Sequence, residues 1–341
     1  MGLPDNSIVS IKSKFRKGPR NLITDVPGVR VGHVTLRDPE RDIHTGVTAL
    51  IPAEGNLFRE KVAAGVAVIN GFGKSAGLVQ VKELGTIEAP VALTNTFGVG
   101  RAVDALIRYM LEENEDIGVS TGTVNCLAME CNDGELNDIR GMHVKEEHVR
   151  QALDNASEDF EEGDVGAGTG MICMSLKGGI GSASRVLEFD GREYCLGALV
   201  LSNFGVAGNL RIDGMRVPSA DGIMGDGDKG STIIIIGTDI PMDSRQLERT
   251  ASRASAGLGR VGSFMGTGSG DIAVAFSSGN RISHYAGDFT DLRTLSENAI
   301  DKVFEAAVEA VEEAVISSLY HSGSVTGIRG KHVDCLKDVF N

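Results

Sequence analysis

Ser231 lies in the stretch of this chain that best suits chemistry. It follows a run rich in glycine and aspartate at 225–230, which cannot hold regular structure, and precedes isoleucines at 233–236, which predict a strand buried on both faces. If the peptide bond between Gly230 and Ser231 were cut, Ser231 would gain an α-amine. Such an amine titrates near neutral pH and can act as a base for the serine hydroxyl. On the local sequence alone, a small residue that simply opens a core strand is the favoured interpretation.

The composition restricts the class of protein. The chain has 341 residues, of which 41% are hydrophobic, and a mean hydropathy of −0.01, as is typical of globular proteins with a sizeable core. The formal net charge of −14 argues against a nucleic-acid or anionic-membrane partner. The 45 glycines and the absence of tryptophan favour close backbone packing over an aromatic binding groove.

Cysteine usage and the first residues predict a cytoplasmic protein. The 5 cysteines form no CxxC pair, which favours reduced thiols over disulfides or a zinc site. No apolar run is long enough to span a membrane. Residues 1–20 lack the apolar segment of a secretory signal.

Short strands and helices follow one another along the chain, which predicts an α/β protein with packed sheets covered by helices. Strands are predicted from apolar or alternating runs at 44–52, 62–69, 91–96, 165–176, 194–202, 233–236 and 272–277. Helices are predicted from apolar residues at helical spacing at 75–84, 101–113, 145–160, 243–258 and 291–319. Turns are expected at 177–181 and 190–191, and a strand–turn–strand unit at 23–33. The long loop at 206–230 is typical of a functional or cleavable segment.

Short blocks in order along the chain resemble the L-aminopeptidase/D-amidase/D-esterase family, which includes the β-peptidyl aminopeptidases. The blocks are VPGVRVGH at 26–33, TGVT at 45–48, LTNT at 93–96, LNDI at 136–139, GTGM at 168–171, KGGIG at 177–181 and SVTG at 324–327. The resemblance extends over residues 22–336. The Gly230–Ser231 junction falls where that family cuts itself, so the resemblance favours Ser231 as a nucleophile.

The resemblance implies an αββα sandwich similar to N-terminal nucleophile hydrolases, with the strand connectivity shared with ornithine acetyltransferase. It implies one domain over 1–341 that is cut by attack of Ser231 on the Gly230 carbonyl, leaving chains 1–230 and 231–341. Glycine suits position 230 because it leaves the carbonyl open and tolerates strained geometry. The expected substrate is a small peptide or amino-acid amide, with no metal or organic cofactor. A homo-oligomer, a tetramer of αβ units, is expected by analogy.

The family's motifs imply catalytic roles for three residues besides the nucleophile. Ser269 and Asp271 match a second serine and a carboxylate that would hold the Ser231 amine, although Asp271 is one methylene shorter than the glutamate of relatives. Asn203, at the end of a predicted strand, matches the amide of the oxyanion hole. Without the resemblance, 269–271 is an ordinary turn and Asn203 a turn-capping residue.

Glu130 matches the carboxylate that, in the family, receives the free amino group of the substrate. A solvated charge near a turn is nearly as good an interpretation of Glu130 on sequence alone. Besides Asp271, two positions depart from the family. Asn132 replaces an aromatic residue that lines the oxyanion hole and the substrate pocket, which leaves the substrate preference open. Lys74 stands where relatives often carry glutamate, and the sequence offers no function for it.

Three functions remain open at this point. The main hypothesis is a self-processing serine aminopeptidase/amidase that releases N-terminal amino acids from small peptides, amides or esters. An acyltransferase of the ornithine acetyltransferase type is less favoured, because that enzyme uses threonine after alanine where this chain has Gly230 and Ser231. A non-catalytic or unprocessed relative acting as a binding protein is kept open by the departures at Asn132 and Asp271.

Overall fold

Two sheets stack face to face in the computed structural model, which describes residues 11–217 and 228–339. The strands are β1 (Arg30–Asp38), β2 (Ile43–Ile51), β3 (Glu60–Gly71), β4 (Thr86–Ile87), β5 (Val91–Asn95), β6 (Leu127–Cys131), β7 (Ile172–Cys173), β8 (Leu176–Lys177), β9 (Gly179–Phe189), β10 (Arg192–Asn203), β11 (Arg211–Ile212), β12 (Met215–Arg216), β13 (Lys229–Thr238), β14 (Gly268–Ser283), β15 (Val325–Thr326) and β16 (His332–Val333). The 4-stranded sheet has the order β1-β2-β5-β6, and the 6-stranded sheet has the order β4-β3-β14-β13-β10-β9. The pairs β5/β6 and β13/β14 are parallel, whereas the other neighbours in these sheets are antiparallel.

Helices cover the outer faces of both sheets. They are α1 (Leu78–Leu84), α2 (Val99–Glu113), α3 (Glu146–Asp154), α4 (Ser244–Ser252), α5 (Ala254–Arg260), α6 (Asp301–His321) and α7 (Leu336–Val339). The smaller sheet is covered by α2 and α3, the larger sheet by α4 and α6, and α5 packs on α6. This arrangement confirms the expected αββα sandwich.

The isoleucine run forms the centre of the larger sheet. Ile233 and Ile235 of β13 pack into the core that the two sheets share, while Ile234 and Ile236 pack against the outer helices. All four side chains are at most 1% exposed. Because successive side chains of a strand point to opposite faces, an uninterrupted apolar run is what a strand covered on both sides requires. The strand predicted at 233–236 is therefore confirmed.

The prediction of a turn at 177–181 is wrong, because Lys177 ends β8 and Gly179 begins β9. The glycines of this block serve close packing and not chain reversal. A Cβ atom at Gly181 would lie 1.9 Å from the Ala314 carbonyl oxygen of α6, so only glycine lets this helix approach the sheet so closely.

Other predicted strands agree with the structure within a few residues, but 165–176 does not form the long strand predicted for it. It contains a 3-10 turn at Gly166–Gly168 and the short strands β7 and β8. The expected first strand of the unit at 23–33 is a 3-10 turn, Ile23–Asp25. Of the loop predicted at 206–230, residues 218–227 lie outside the described residues.

The helix predicted at 101–113 is the slightly longer α2, whereas the other predicted helices are shorter or divided. The helix predicted at 145–160 is the shorter α3, and 243–258 is divided into α4 and α5 at Arg253. The helix predicted at 291–319 begins only at Asp301. The Asn280 side chain accepts a hydrogen bond from the Arg293 main-chain N–H at 3.1 Å and donates to its carbonyl at 2.8 Å. These two bonds tie the backbone at Arg293 to β14.

Candidate active site

Ser231 lies near the start of β13, at the floor of a cavity of about 550 Å³. It is 4% exposed, and its hydroxyl donates a hydrogen bond to the carbonyl oxygen of Gly230 at 2.6 Å. The strand register places it opposite Asn203 of β10 and Gly270 of β14. A serine hydroxyl is therefore held against the peptide group that precedes it, inside a cavity large enough for a short peptide.

Gly230 and Asp228 shape the approach to this peptide group. A Cβ atom at Gly230 would lie 2.0 Å from the Asn203 carbonyl oxygen, so the position admits only glycine. The buried Asp228 carboxylate accepts hydrogen bonds from the main-chain N–H groups of Gly205, at 2.9 Å, and Gly266, at 3.1 Å. Asp228 thereby fastens the chain two residues before Gly230, a role that the sequence interpretation missed.

Asn203 is the last residue of β10 and lines the same cavity. Its side-chain oxygen accepts from the Ile172 N–H at 2.9 Å, and its Nδ2 donates to the Asn132 carbonyl at 3.0 Å. Both bonds fix the orientation of the amide, and the second proton of Nδ2 is not used by either. An amide held in this way beside a serine is suited to donate to an oxyanion.

Ser269 and Asp271 flank Gly270 on β14, the strand next to Ser231. The Ser269 hydroxyl donates to Asp271 Oδ1 at 2.7 Å, and both residues are at most 1% exposed. Burial raises the pKa of Asp271 to about 6, although the hydrogen bond from Ser269 opposes this shift.

The alternation of side chains along β13 and β14 separates this pair from the serine hydroxyl. The Ser231 side chain leaves its strand on the face of Ile233, towards the smaller sheet. Ser269 and Asp271 leave β14 on the face of Ala273, towards the outer helices. The structure thus brings the pair to the main chain of Ser231, where an α-amine would be formed, and not to the cavity wall.

Glu130 is on β6 of the opposite sheet and is 1% exposed. Its Oε1 accepts from the Lys74 main-chain N–H at 2.7 Å and its Oε2 from the Thr96 hydroxyl, and it lines the cavity with Ser231. The next residue, Cys131, donates its thiol to the Ser231 carbonyl oxygen at 3.2 Å and so connects the two sheets beside the serine. The structure therefore brings residues that are far apart in sequence to one cavity.

Asn132 is exposed, and its side-chain oxygen accepts from the Gly134 N–H at 2.9 Å in a local turn. The cavity wall at this position is small and polar. Its main-chain carbonyl, which holds Asn203, is the part of Asn132 with a defined contact at the site. The sequence interpretation considered only the side chain.

A buried polar cluster supports the loop that follows Glu130. The fully buried Asp133 carboxylate accepts from the side-chain amides of Asn95 and Asn137, both at 3.1 Å, and Asn95 also donates to Thr45 at 3.0 Å. Burial raises the pKa of Asp133 to about 6, against these hydrogen bonds. Thr45, Asn95 and Asn137 belong to three of the blocks that carry the family resemblance. These blocks were therefore a signal for the cluster, although the sequence analysis did not place the three residues together.

The Asp133 carboxyl makes stability depend on pH. Because the pKa of Asp133 is about 6 in the folded chain and 3.8 for an ordinary aspartate, the unfolded chain loses this proton first as pH rises. We therefore expect the free energy of unfolding contributed by Asp133 to fall by about 2–3 kcal/mol between pH 4 and pH 6 and to stay constant above. Asp133→Asn should destabilise the protein more at pH 4 than at pH 7, as measured by urea unfolding.

Leu136→Ala serves as the control for this experiment, since Leu136 is fully buried in the same loop and does not titrate. It should cost about 2–5 kcal/mol at both pH values. Both variants are made in a Ser231→Ala background, so that chain cleavage does not vary between samples. Equal destabilisation by Asp133→Asn at pH 4 and pH 7 would contradict the raised pKa.

Two further expectations concern membrane-spanning helices and the state of the cysteines. Within residues 11–217 and 228–339, no helix is both long and apolar enough to cross a membrane. The five cysteines are buried and free of disulfides: Cys126, Cys131, Cys173, Cys195 and Cys335. Burial of Cys173 raises the pKa of its thiol to about 12, so this group stays protonated.

Comparison with known proteins agrees with this geometry. Residues 21–333 match peptidase family S58. The chain is 38% identical over 342 residues to the β-peptidyl aminopeptidase BapA of Sphingosinicella microcystinivorans, covering 92% of this chain and 85% of the relative.

Solved structures show the same fold. The crystal structure of the PH0078 protein from Pyrococcus horikoshii OT3 has a TM-score of 0.91 and 51% identity to this chain. The L-aminopeptidase D-Ala-esterase/amidase of Ochrobactrum anthropi, described as a variant of the Ntn hydrolase fold, has a TM-score of 0.87 and 36% identity. Each similarity covers 97% of this chain and 95% of the other. The chain therefore belongs to peptidase family S58 and is a hydrolase of the aminopeptidase class with an Ntn-type fold.

Proposed function

We propose that this aminopeptidase cuts itself between Gly230 and Ser231 and then uses Ser231 as an N-terminal nucleophile. The observation that carries the proposal is the position of the Ser231 hydroxyl, 2.6 Å from the Gly230 carbonyl oxygen at the floor of the cavity. The requirement for glycine at 230 and the anchoring of Asp228 support it, because both present the same peptide group to the hydroxyl.

Self-cleavage proceeds by an acyl shift. The Ser231 oxygen attacks the Gly230 carbonyl carbon, its proton passes to the Ser231 nitrogen, and the C–N bond breaks to leave an ester and a free α-amine. Water then hydrolyses the ester, which leaves a carboxylate on Gly230 and restores the Ser231 hydroxyl. The products are chains 1–230 and 231–341. They would stay associated, because β13 of the second chain pairs with β10 of the first over eight residue pairs, from Leu196/Thr238 to Asn203/Ser231.

In turnover, the Ser231 α-amine takes the proton of its own hydroxyl as the oxygen attacks a substrate carbonyl. Asn203 donates to the developing alkoxide. Ser269 and Asp271 stabilise the ammonium from the main-chain side, a role supported by their positions on β14 beside the main chain of Ser231. The amine then protonates the leaving group, and water releases the acyl group from Ser231.

The substrates we propose are small peptides, amides or esters with a free N-terminal amine. Glu130 binds that amine, since it is the buried carboxylate on the cavity wall that faces Ser231. The relative BapA is named a β-peptidyl aminopeptidase, so β-amino residues belong in the substrate panel beside α-L and D residues. The small polar wall at Asn132 leaves room at the position where the family carries an aromatic ring.

We further infer a homo-oligomer in the cytoplasm, a tetramer of αβ units by family analogy. Exposed apolar side chains on the protein surface support association between copies of the chain. Val68 is 58% exposed, Val79 is 80% exposed and Leu84 is 67% exposed. Two of them, Val68 and Val79, line a second cavity that is open to solvent.

The experiment that tests the proposal is the intact mass of the purified protein after incubation at neutral pH. We expect two species whose masses meet at Gly230/Ser231, together with hydrolysis of aminoacyl p-nitroanilides. The acyltransferase alternative predicts transfer of the acetyl group of acetylornithine, which is assayed on the same sample. A single mass for the full chain without hydrolysis would favour the binding-protein alternative. Membership of the family does not favour that alternative.

A further inference from the structure

Lys74 is a cationic side chain on the wall of the active-site cavity. It lines this cavity with Ser231 and Glu130. The segment that carries it, 72–74, lies directly over Gly270, where an added Cβ would meet Gly73 Cα at 2.8 Å. Because Gly270 pairs with Ser231 across β14 and β13, Lys74 belongs to the immediate surroundings of the proposed nucleophile.

The position of the Lys74 ammonium is defined by Phe72. Its Nζ donates to the Phe72 carbonyl oxygen at 3.2 Å and lies 4.2 Å from the centroid of the Phe72 ring. A cation over an aromatic face is attracted by the ring, so the side chain is oriented before a ligand binds. Less conformational freedom is then lost on binding.

Lys74 has no carboxylate partner in the part of the chain that the structure describes. The two carboxylates on the same cavity wall are already engaged. Glu130 accepts from the Lys74 main chain and the Thr96 hydroxyl, and Glu135 pairs with Lys331. The Lys74 ammonium is therefore free to bind an anion in the cavity.

We propose, on the basis of the proposed function, that Lys74 binds a carboxylate of the substrate and so determines specificity. The main-chain N–H of Lys74 binds Glu130, so the amine site and the Lys74 side chain start from the same point of the wall. The carboxylate is either that of the leaving residue or that of an acidic N-terminal residue, and glutamate at position 74 would repel both.

The test compares ratios of kcat/KM. One pair, a dipeptide with a free carboxylate and the same dipeptide amide, reports on the leaving residue. A second pair, the aspartyl and asparaginyl p-nitroanilides, reports on the N-terminal side chain. We expect Lys74→Met to lower the acid-to-neutral ratio of one pair about tenfold, since a charge-assisted hydrogen bond is lost. The pair that changes identifies the source of the carboxylate.

Three further variants define the effect. Lys74→Arg should keep the ratio of the wild type, and Lys74→Glu should lower it further than Lys74→Met. Lys302→Met is the matched control, because Lys302 is an exposed lysine of α6 whose Nζ lies 5.3 Å from the centroid of the Phe189 ring, outside this cavity. It should leave both ratios unchanged. Added salt should reduce the wild-type ratio that depends on Lys74.

The outcomes separate this inference from the proposed function. Rates are normalised to the cleaved fraction seen by intact mass. If all substrates are hydrolysed but Lys74→Met changes neither ratio, the carboxylate site is overturned while the nucleophile proposal stands. If the wild type neither cuts itself nor hydrolyses any of the four substrates, the proposed function itself fails.

Discussion

Ser231→Ala is expected to remain a single chain of 341 residues and to lose turnover by about 10⁴-fold or more. The same oxygen is proposed to attack the Gly230 carbonyl in the precursor and the substrate carbonyl in the mature protein, so one substitution removes both reactions. Stability should change little, because the hydrogen bond lost is the one to Gly230. Intact mass measures cleavage, and aminoacyl p-nitroanilide hydrolysis measures turnover.

Two controls make the Ser231→Ala result specific. Ser231→Cys supplies a thiol that is intrinsically more nucleophilic, and it should still cut the chain. Ser255→Ala removes a hydroxyl from α5, whose contact is the Ser252 carbonyl, and it should behave as the wild type. Recovery of two chains meeting at position 230 from Ser231→Ala would rule out Ser231 as the cleaving nucleophile.

Asn203→Asp is expected to lower kcat about 10²–10³-fold with a much smaller change in KM. The variant keeps the oxygen that accepts from the Ile172 N–H, so the end of β10 stays anchored. It loses the Nδ2 donor and places a negative charge where the alkoxide develops. Self-cleavage should also slow, since its tetrahedral intermediate forms beside the same amide. Rates are measured per cleaved chain, with intact mass giving the cleaved fraction.

Asn155→Asp makes the same chemical change away from the cavity, at an exposed amide that donates to the His33 carbonyl at 3.1 Å. It should leave kcat near the wild-type value. Asn203→Ala, which also loses the acceptor for Ile172, adds a folding defect and should be less stable than Asn203→Asp. A KM effect without a kcat effect in Asn203→Asp would mean that Asn203 binds substrate and does not stabilise the transition state.

The two sheets contribute different parts of the proposed mechanism. The larger sheet carries Ser231 and Asn203, while the smaller sheet carries Glu130 on β6. The Cys131 thiol bond to the Ser231 carbonyl joins them where they meet. The position of the proposed amine-binding carboxylate relative to the proposed nucleophile therefore depends on how the sheets stack, and the Asp133 cluster holds the loop that follows Glu130.

Several predictions that rest on local patterns agree with the structure. The isoleucine run forms a strand buried on both faces, and the apolar spacing at 101–113 forms most of α2. These patterns succeed because alternation and helical spacing are properties of neighbouring residues alone. Local patterns fail where the conformation of a residue depends on a contact with a residue far away in the sequence. Gly181 lies in β9, where α6 approaches the sheet, Gly179 packs against the backbone of Gly163, and Arg293, whose backbone Asn280 binds, lies outside a helix.

The sequence by itself determined the strand that carries Ser231, the glycine before it and the ordered blocks that point to the family. Only the tertiary structure decided which side chains share the cavity. Glu130 and Ser231 meet because two sheets stack, and Ser269 and Asp271 face away from the cavity because side chains alternate along β14. The sequence offers no function for Lys74, whereas in the structure its ammonium lies over the Phe72 ring without an acidic partner among the described residues. The physical reason is the same in each case, since contacts between distant segments depend on packing that no local pattern encodes.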